Sequence, residues 1–260
     1  MKTIHRVFSA LAVSGLVMAV APSGAADARL YEMRTYHAAP GKAEAMQARF
    51  RDHACRLLKK HGMEAIGFWV PMEDKDGGKD TLMWVLAWPD RETREKAWEV
   101  FKADAEWQAV FKESEKDGKL VEKAEIRFLR ATDFSPAIRA GASSSPRVFE
   151  LRTYAAEAGR LGALLARFRD HTLKLFEKHG MTNWAYWTVA DGEEGADDTL
   201  VYMLAHASRD AAKASFDAFR ADPAWQAAKK ASEEKAGGSL TVKDGVKSVF
   251  MAPADFSPTR

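Results

Sequence analysis

Apolar and polar residues change period along this chain in an order that occurs twice. Arg29 to His37 alternates and is rich in β-formers, which predicts a strand. Lys42 to His61 carries Met46, Phe50, Ala54, Leu57 and Leu58 at spacings of three and four, the stripe of an amphipathic helix. Gly62 follows as a C-cap, with Lys59, Lys60 and His61 in the last turn, where cations suit the helix dipole. Glu64 to Pro71 and Thr81 to Trp88 predict two further strands, joined by the turn-rich stretch from Glu73 to Gly78. A second helix opens at Asp90 or Arg91 and reaches Lys102, a short helical piece carries Trp107, and a last strand covers Leu120 to Ala131.

The pattern then returns at an offset of 118 residues. Tyr31-Glu32-Met33-Arg34-Thr35-Tyr36 becomes Phe149-Glu150-Leu151-Arg152-Thr153-Tyr154, and Ala48-Arg49-Phe50-Arg51-Asp52-His53 becomes Ala166-Arg167-Phe168-Arg169-Asp170-His171. Asp133-Phe134-Ser135-Pro136 and Asp255-Phe256-Ser257-Pro258 close the two copies. The chain therefore holds one domain twice, at 29–136 and 147–258, with a small polar linker at 137–146. Each copy orders its elements as strand, helix, strand, strand, helix, strand. That is α+β class: a ferredoxin-like βαββαβ unit, with a four-stranded antiparallel sheet and both helices on one face. The other sheet face must be covered, so the two sheets are expected to pack on each other as a fused pseudo-dimer with an inner chamber. On the first strand, Tyr31, Met33 and Thr35 suit the helix side, which leaves Glu32, Arg34 and Tyr36 facing the chamber, as do Glu150, Arg152 and Tyr154.

Residues 1–26 stand apart. A basic start at Lys2 and Arg6, an apolar run from Val7 to Val20 and the small residues Gly24-Ala25-Ala26 make the three-part pattern of a signal peptide. The run is short for a membrane span, so export to the periplasm or the extracellular space is expected, without stable membrane insertion after cleavage. The formal charge of +2 leaves with Lys2 and Arg6, and with it any basic excess that could neutralise nucleic-acid phosphates. Cys55 is the single cysteine and can form no disulfide within the chain; Leu173 takes its place in the second copy, as at a packing position.

Three groups of residues could carry chemistry. Glu32, Arg34 and Tyr36, repeated as Glu150, Arg152 and Tyr154, combine an ion pair with a hydroxyl; they could hold a polar ligand head or fix how the sheets meet. His53 and His171 fall three residues after a phenylalanine, on the predicted apolar helix face, where a histidine packs or transfers protons. Trp69 and Trp187 match between copies, while Trp84 and Trp88 become Tyr202 and His206; rings of this size form core or the wall of an aromatic chamber. No metal site is expected, because His53 and His61 are separated by about 12 Å of helix. No catalytic residue is assigned.

Several of these segments are shared with a known family. Tyr31 to Tyr36, Pro40-Gly41-Lys42, Lys60-His61-Gly62, Gly67-Phe68-Trp69 and Arg94-Glu95-Lys96-Ala97-Trp98, with Asp104 and Trp107, resemble a NIPSNAP domain. The second copy resembles another, with Arg152-Thr153-Tyr154, Lys178-His179-Gly180, Tyr186-Trp187 and Asp222-Pro223-Ala224-Trp225-Gln226; it departs where Arg94-Glu95-Lys96 becomes Ala212-Lys213-Ala214 and Pro40 becomes Ala158. The resemblance implies a dimeric α+β barrel, here pseudo-dimeric. That superfamily includes monooxygenases that need no cofactor and haem-binding enzymes, while the NIPSNAP family itself has no settled catalytic activity. The expectation is an exported monomer that binds a small apolar or planar ligand between its sheets, without a cofactor. A monooxygenase-like or haem-handling enzyme is the alternative, and a structural or interaction module is a third reading.

Overall fold

A computed structural model describes residues 27–141 and 147–260. Residues 1–26, where a signal peptide is expected, and residues 142–146 of the expected linker lie outside the described residues. The first repeat comprises β1 (Leu30–Ala38), α1 (Ala43–Arg49), α2 (Cys55–Lys60), β2 (Glu64–Pro71), β3 (Thr81–Trp88), α3 (Arg91–Ala103), α4 (Ala105–Ser114) and β4 (Val121–Ala131). The second comprises β5 (Val148–Ala156), α5 (Leu161–Arg167), α6 (Leu173–Lys178), β6 (Thr182–Val189), β7 (Thr199–His206), α7 (Arg209–Ala221), α8 (Pro223–Ala236) and β8 (Thr241–Pro253).

The expected long helix is present but is not α-helical throughout. Phe50–Ala54 joins α1 to α2 as a π-helical turn, and Phe168–Thr172 joins α5 to α6 in the same way. The Cys55 amide donates to the Phe50 carbonyl five residues back, and the Leu173 amide to that of Phe168. A π turn takes up one extra residue and shifts the phase of everything that follows. Phe50 and Ala54 consequently face the core, and His53 is turned to solvent, as is His171. The α-helical count that set these histidines on the apolar face fails for this reason.

All eight strands form one closed antiparallel barrel in the order β1-β3-β2-β8-β5-β7-β6-β4. Within each repeat the pairings are long, as in β1 with β3 from Leu30↔Trp88 to His37↔Thr81. Between repeats they are short: Trp69–Pro71 pairs with Met251–Pro253, and Leu129–Ala131 with Trp187–Val189. The sheets thus join at their edges as well as facing each other. An eight-stranded barrel is just wide enough for its own side chains to fill. Tyr31, Met33, Trp69, Val85, Trp187 and Met203 fill this one, all buried. A Cβ placed on Gly67 would lie 2.3 Å from the nearest atom of the Trp69 indole, which shows how closely the interior is packed.

This core corrects two expectations. The space between the sheets is packed with side chains, and the faces of β1 are reversed: Tyr31 and Met33 point into the barrel, while Glu32, Arg34 and Tyr36 point outward beneath the helices. Alternation correctly separated the two sets but could not say which was inside, because both faces are covered. β3 and β7 are buried at every position for the same reason.

Each repeat also reaches across the barrel with its Asp-Phe-Ser-Pro tail. Ala254 donates from its amide to the Phe68 carbonyl at 2.9 Å, and the Ser257 hydroxyl accepts from the Phe68 amide at 2.9 Å. Phe256 packs on Phe68, and Asp255 pairs with Arg51 at 2.7 Å. The first tail does the same to the second repeat through Thr132 and Ser135 on Tyr186, and Asp133 on Arg169. Ser257→Ala would leave the Phe68 amide buried without an acceptor, so it is expected to cost about 1–2 kcal/mol in urea unfolding; an unchanged midpoint would deny the tail a clamping role.

Candidate ligand-binding site

The outward face of β1 places Glu32 at the centre of a buried polar cluster. Its side chain has 0% exposure, and its carboxylate accepts from Arg34 Nη1 at 2.6 Å and Arg94 Nη2 at 2.8 Å. The indole N–H groups of Trp88 and Trp98 each donate to it at 3.0 Å. Burial alone would raise the Glu32 pKa, but the hydrogen bonds from Arg94 and Trp98 and the charges of both arginines outweigh it and hold the carboxyl below its usual range. Glu32 is therefore an anion at neutral pH, and it fixes Arg34 against the sheet. The Arg34 guanidinium carbon lies 4.8 Å from the Trp98 ring centre and 5.3 Å from those of Tyr36 and Trp84.

The second repeat rebuilds this cluster with different parts. Glu150 is buried and accepts from Arg152 and Ser248, with His206 Nε2 at 3.2 Å in the place of Trp88. Arg94 has become the buried Ala212, so one arginine rather than two balances the acid. Burial again raises the carboxyl pKa, and the His206 contact and the Arg152 charge bring it below the usual range.

Beside each cluster, a cleft opens between the sheet and the helices. In the first repeat two adjoining cavities of about 310 and 530 Å³ share Tyr36, Trp98, Phe101, Trp107 and Phe111. Arg49 lines one lobe and Arg34 the other. Arg49 is buried, held by Glu115 at 3.0 Å and Ser114 at 3.2 Å, and lies over the Trp107 and Phe111 rings. The Nε atoms of both arginines are buried and find no partner among the described residues. In the second repeat a cavity of about 400 Å³ lies at the same place.

Of the residues singled out in the sequence, Arg34, Tyr36, Arg152 and Tyr154 line these clefts, and Glu32 and Glu150 lie behind them. Trp69 and Trp187 lie inside the barrel, and His53 and His171 on the solvent side, so neither pair joins the clefts. Sequence reasoning missed Arg49, Arg167, Trp98 and Phe111. Arg49 had a visible signal: it follows Met46 by three, which puts a charge on an apolar helix stripe.

The NIPSNAP family model matches residues 31–136 and again 149–258. The chain belongs to the NIPSNAP family. An uncharacterized NIPSNAP domain protein from Burkholderia xenovorans aligns at 25% identity over 42% of this chain and 99% of its own, with a TM-score of 0.36. Over the whole barrel, an anthrone oxidase-like protein is similar at 12% identity, covering 88% of this chain and 92% of its own, with a TM-score of 0.54. A monooxygenase-like protein from Lactobacillus acidophilus is similar at 12% identity over 87% and 94%, with a TM-score of 0.51. These two show a shared dimeric α+β barrel fold. No curated protein matches the chain.

The Lys-His-Gly segments of the two NIPSNAP repeats have a physical role here. Lys60 and His61 hold Asp104 at 2.7 and 2.8 Å, and Asp104 caps α4 by accepting from the amides of Glu106 and Trp107. Hydrogen bonds from Lys60, then His61, keep Asp104 well below the usual carboxylate range. Lys178, His179 and Asp222 repeat the arrangement at α8. Each set anchors the helix that carries the cleft tryptophan, Trp107 or Trp225.

The cluster around Glu32 makes a testable demand. Glu32→Gln leaves two partly buried guanidinium groups, those of Arg34 and Arg94, without a counter-charge and is expected to cost about 3 kcal/mol in urea unfolding at neutral pH. The folded-state pKa lies below the ordinary value of 4.5, so the carboxylate's contribution is complete above that value and is lost as pH falls through the depressed one. The gap between wild type and variant should therefore narrow in acid; a gap that stays constant would deny the charge its role.

Proposed function

We propose that this NIPSNAP protein is an exported, monomeric binding protein, its two ferredoxin-like repeats covering each other. The first-repeat cleft takes a small apolar or planar molecule with an acidic head. One observation carries this reading: an aromatic-walled cleft is lined by Arg49, which is buried, and Arg34, which is partly buried. Trp98, Trp107 and Phe111 offer flat apolar contact, which is what ligand sites use for affinity. Arg34 and Arg49 offer guanidinium N–H groups that recognise a carboxylate or sulfonate. The site is pre-organised, because Glu32 and Glu115 already hold the two arginines in place. The oxygenase-like alternative draws on fold likeness alone, and fold likeness does not supply a reaction. His53 and His171, the candidate proton acceptors for that alternative, stand outside the cleft.

Anilinonaphthalene sulfonate, a planar apolar anion, is a direct probe. It should bind the mature chain with enhanced, blue-shifted emission. Phe111 is 43% exposed at the rim, so Phe111→Ser removes apolar wall without adding charge and at little cost in buried packing. The variant is expected to bind the dye about tenfold more weakly, equivalent to ~1.4 kcal/mol. Dye binding that is absent in the wild type, or equal in the two proteins, would reject this site.

A further inference from the structure

The two clefts differ in wall chemistry more than a simple copy would. Across the 118-residue offset, Phe111 becomes Lys229, Lys102 becomes Arg220 and Ala54 becomes Thr172. Strand register makes a fourth exchange: Ile126 stands opposite Arg34, and Ser248 stands opposite Arg152. At the rim, the apolar Phe111 of the first cleft is thus a cation in the second. Arg152, Arg167, Arg220 and Lys229 all line the second cavity, and no carboxylate is among its lining residues.

The nearby acids are committed elsewhere or set at a distance. Glu150 is engaged by Arg152, His206 and Ser248 behind the cleft, and Asp217 pairs with Lys213 and Arg220 on the helix surface. Glu233 approaches Arg167 only to 3.5 Å, whereas its counterpart Glu115 reaches Arg49 at 3.0 Å. Arg167 is buried, and its Nε finds no partner among the described residues. Burial, only partly offset by Glu233, pushes its pKa below the ordinary arginine value, as expected of a guanidinium with too little counter-charge. Four cationic side chains thus line a cavity of about 400 Å³ whose lining includes no carboxylate.

We infer that the second-repeat cleft is a separate site for a compact oxyanion of two or more negative charges, the chemistry shared by phosphate groups and small polycarboxylates. Guanidinium groups match both bidentately. An apolar ligand would be poorly served, because it would strip water from these cations and return nothing. This site does not depend on the first-repeat reading, and the two are measured with different probes.

Calorimetric titration of the mature chain at low salt, with inorganic phosphate and with citrate in separate arms, tests the inference. One equivalent of at least one anion should bind, more weakly as salt rises. Arg220→Ala with Lys229→Phe, both at exposed positions, should weaken it about tenfold, with the thermal unfolding midpoint as the control for fold. Lys229→Glu is the second variant should the first not fold, and it should weaken binding at least as much. The arm that responds identifies the anion's source. No binding of either anion, or binding untouched by these variants, overturns the inference. So does an equal loss in Lys102→Ala, which would place the anion in the first repeat.

Discussion

The structure depends on closing the edges of two sheets. A four-stranded sheet with helices on one face leaves the other face apolar and two edges with free backbone groups. Here each repeat covers the face of the other, and three-residue pairings between β2 and β8 and between β4 and β6 turn two sheets into one barrel. So short a pairing is reinforced by the tails. Asp133-Phe134-Ser135 and Asp255-Phe256-Ser257 reach over and satisfy backbone groups of β6 and β2. Duplication makes this possible within one chain.

Closure has a consequence for where a ligand could sit. An eight-stranded barrel is just wide enough for side chains to fill, and Trp69, Trp187 and Tyr31 are among those that occupy this one. Concave space then remains outside, where helices stand off the sheet. The π turns contribute to it by directing Phe50 and Ala54, or Phe168 and Thr172, toward the clefts. Buried and partly buried arginines are tolerated there because Glu32, Glu115 and Glu150 compensate them and aromatic rings flank them. The two clefts have since diverged: Phe111 and Ile126 line the first, and Lys229 takes the place of Phe111 in the second.

Much of this was legible in residue order. β2 and β3 begin and end where alternation and turn residues placed them, and α3 follows its Asp90 cap. The polar set Glu32, Arg34 and Tyr36 was separated correctly from Tyr31 and Met33. Its direction was not legible, since a strand buried on both sides gives no polarity difference to read. The histidines were misplaced because one extra residue per π turn leaves no compositional mark. Arg94 and Trp98 joined the Glu32 cluster from a distant helix, and no local spacing predicts that meeting.

Periodicity and the repeat alone determined the elements, the two-copy architecture and which residues share a face, because those follow from local backbone geometry. Tertiary structure decided which face became the interior, where the clefts lie and which charges meet. Those outcomes depend on barrel circumference, helix phase and long-range pairing, quantities that belong to the whole closed sheet rather than to any stretch of sequence.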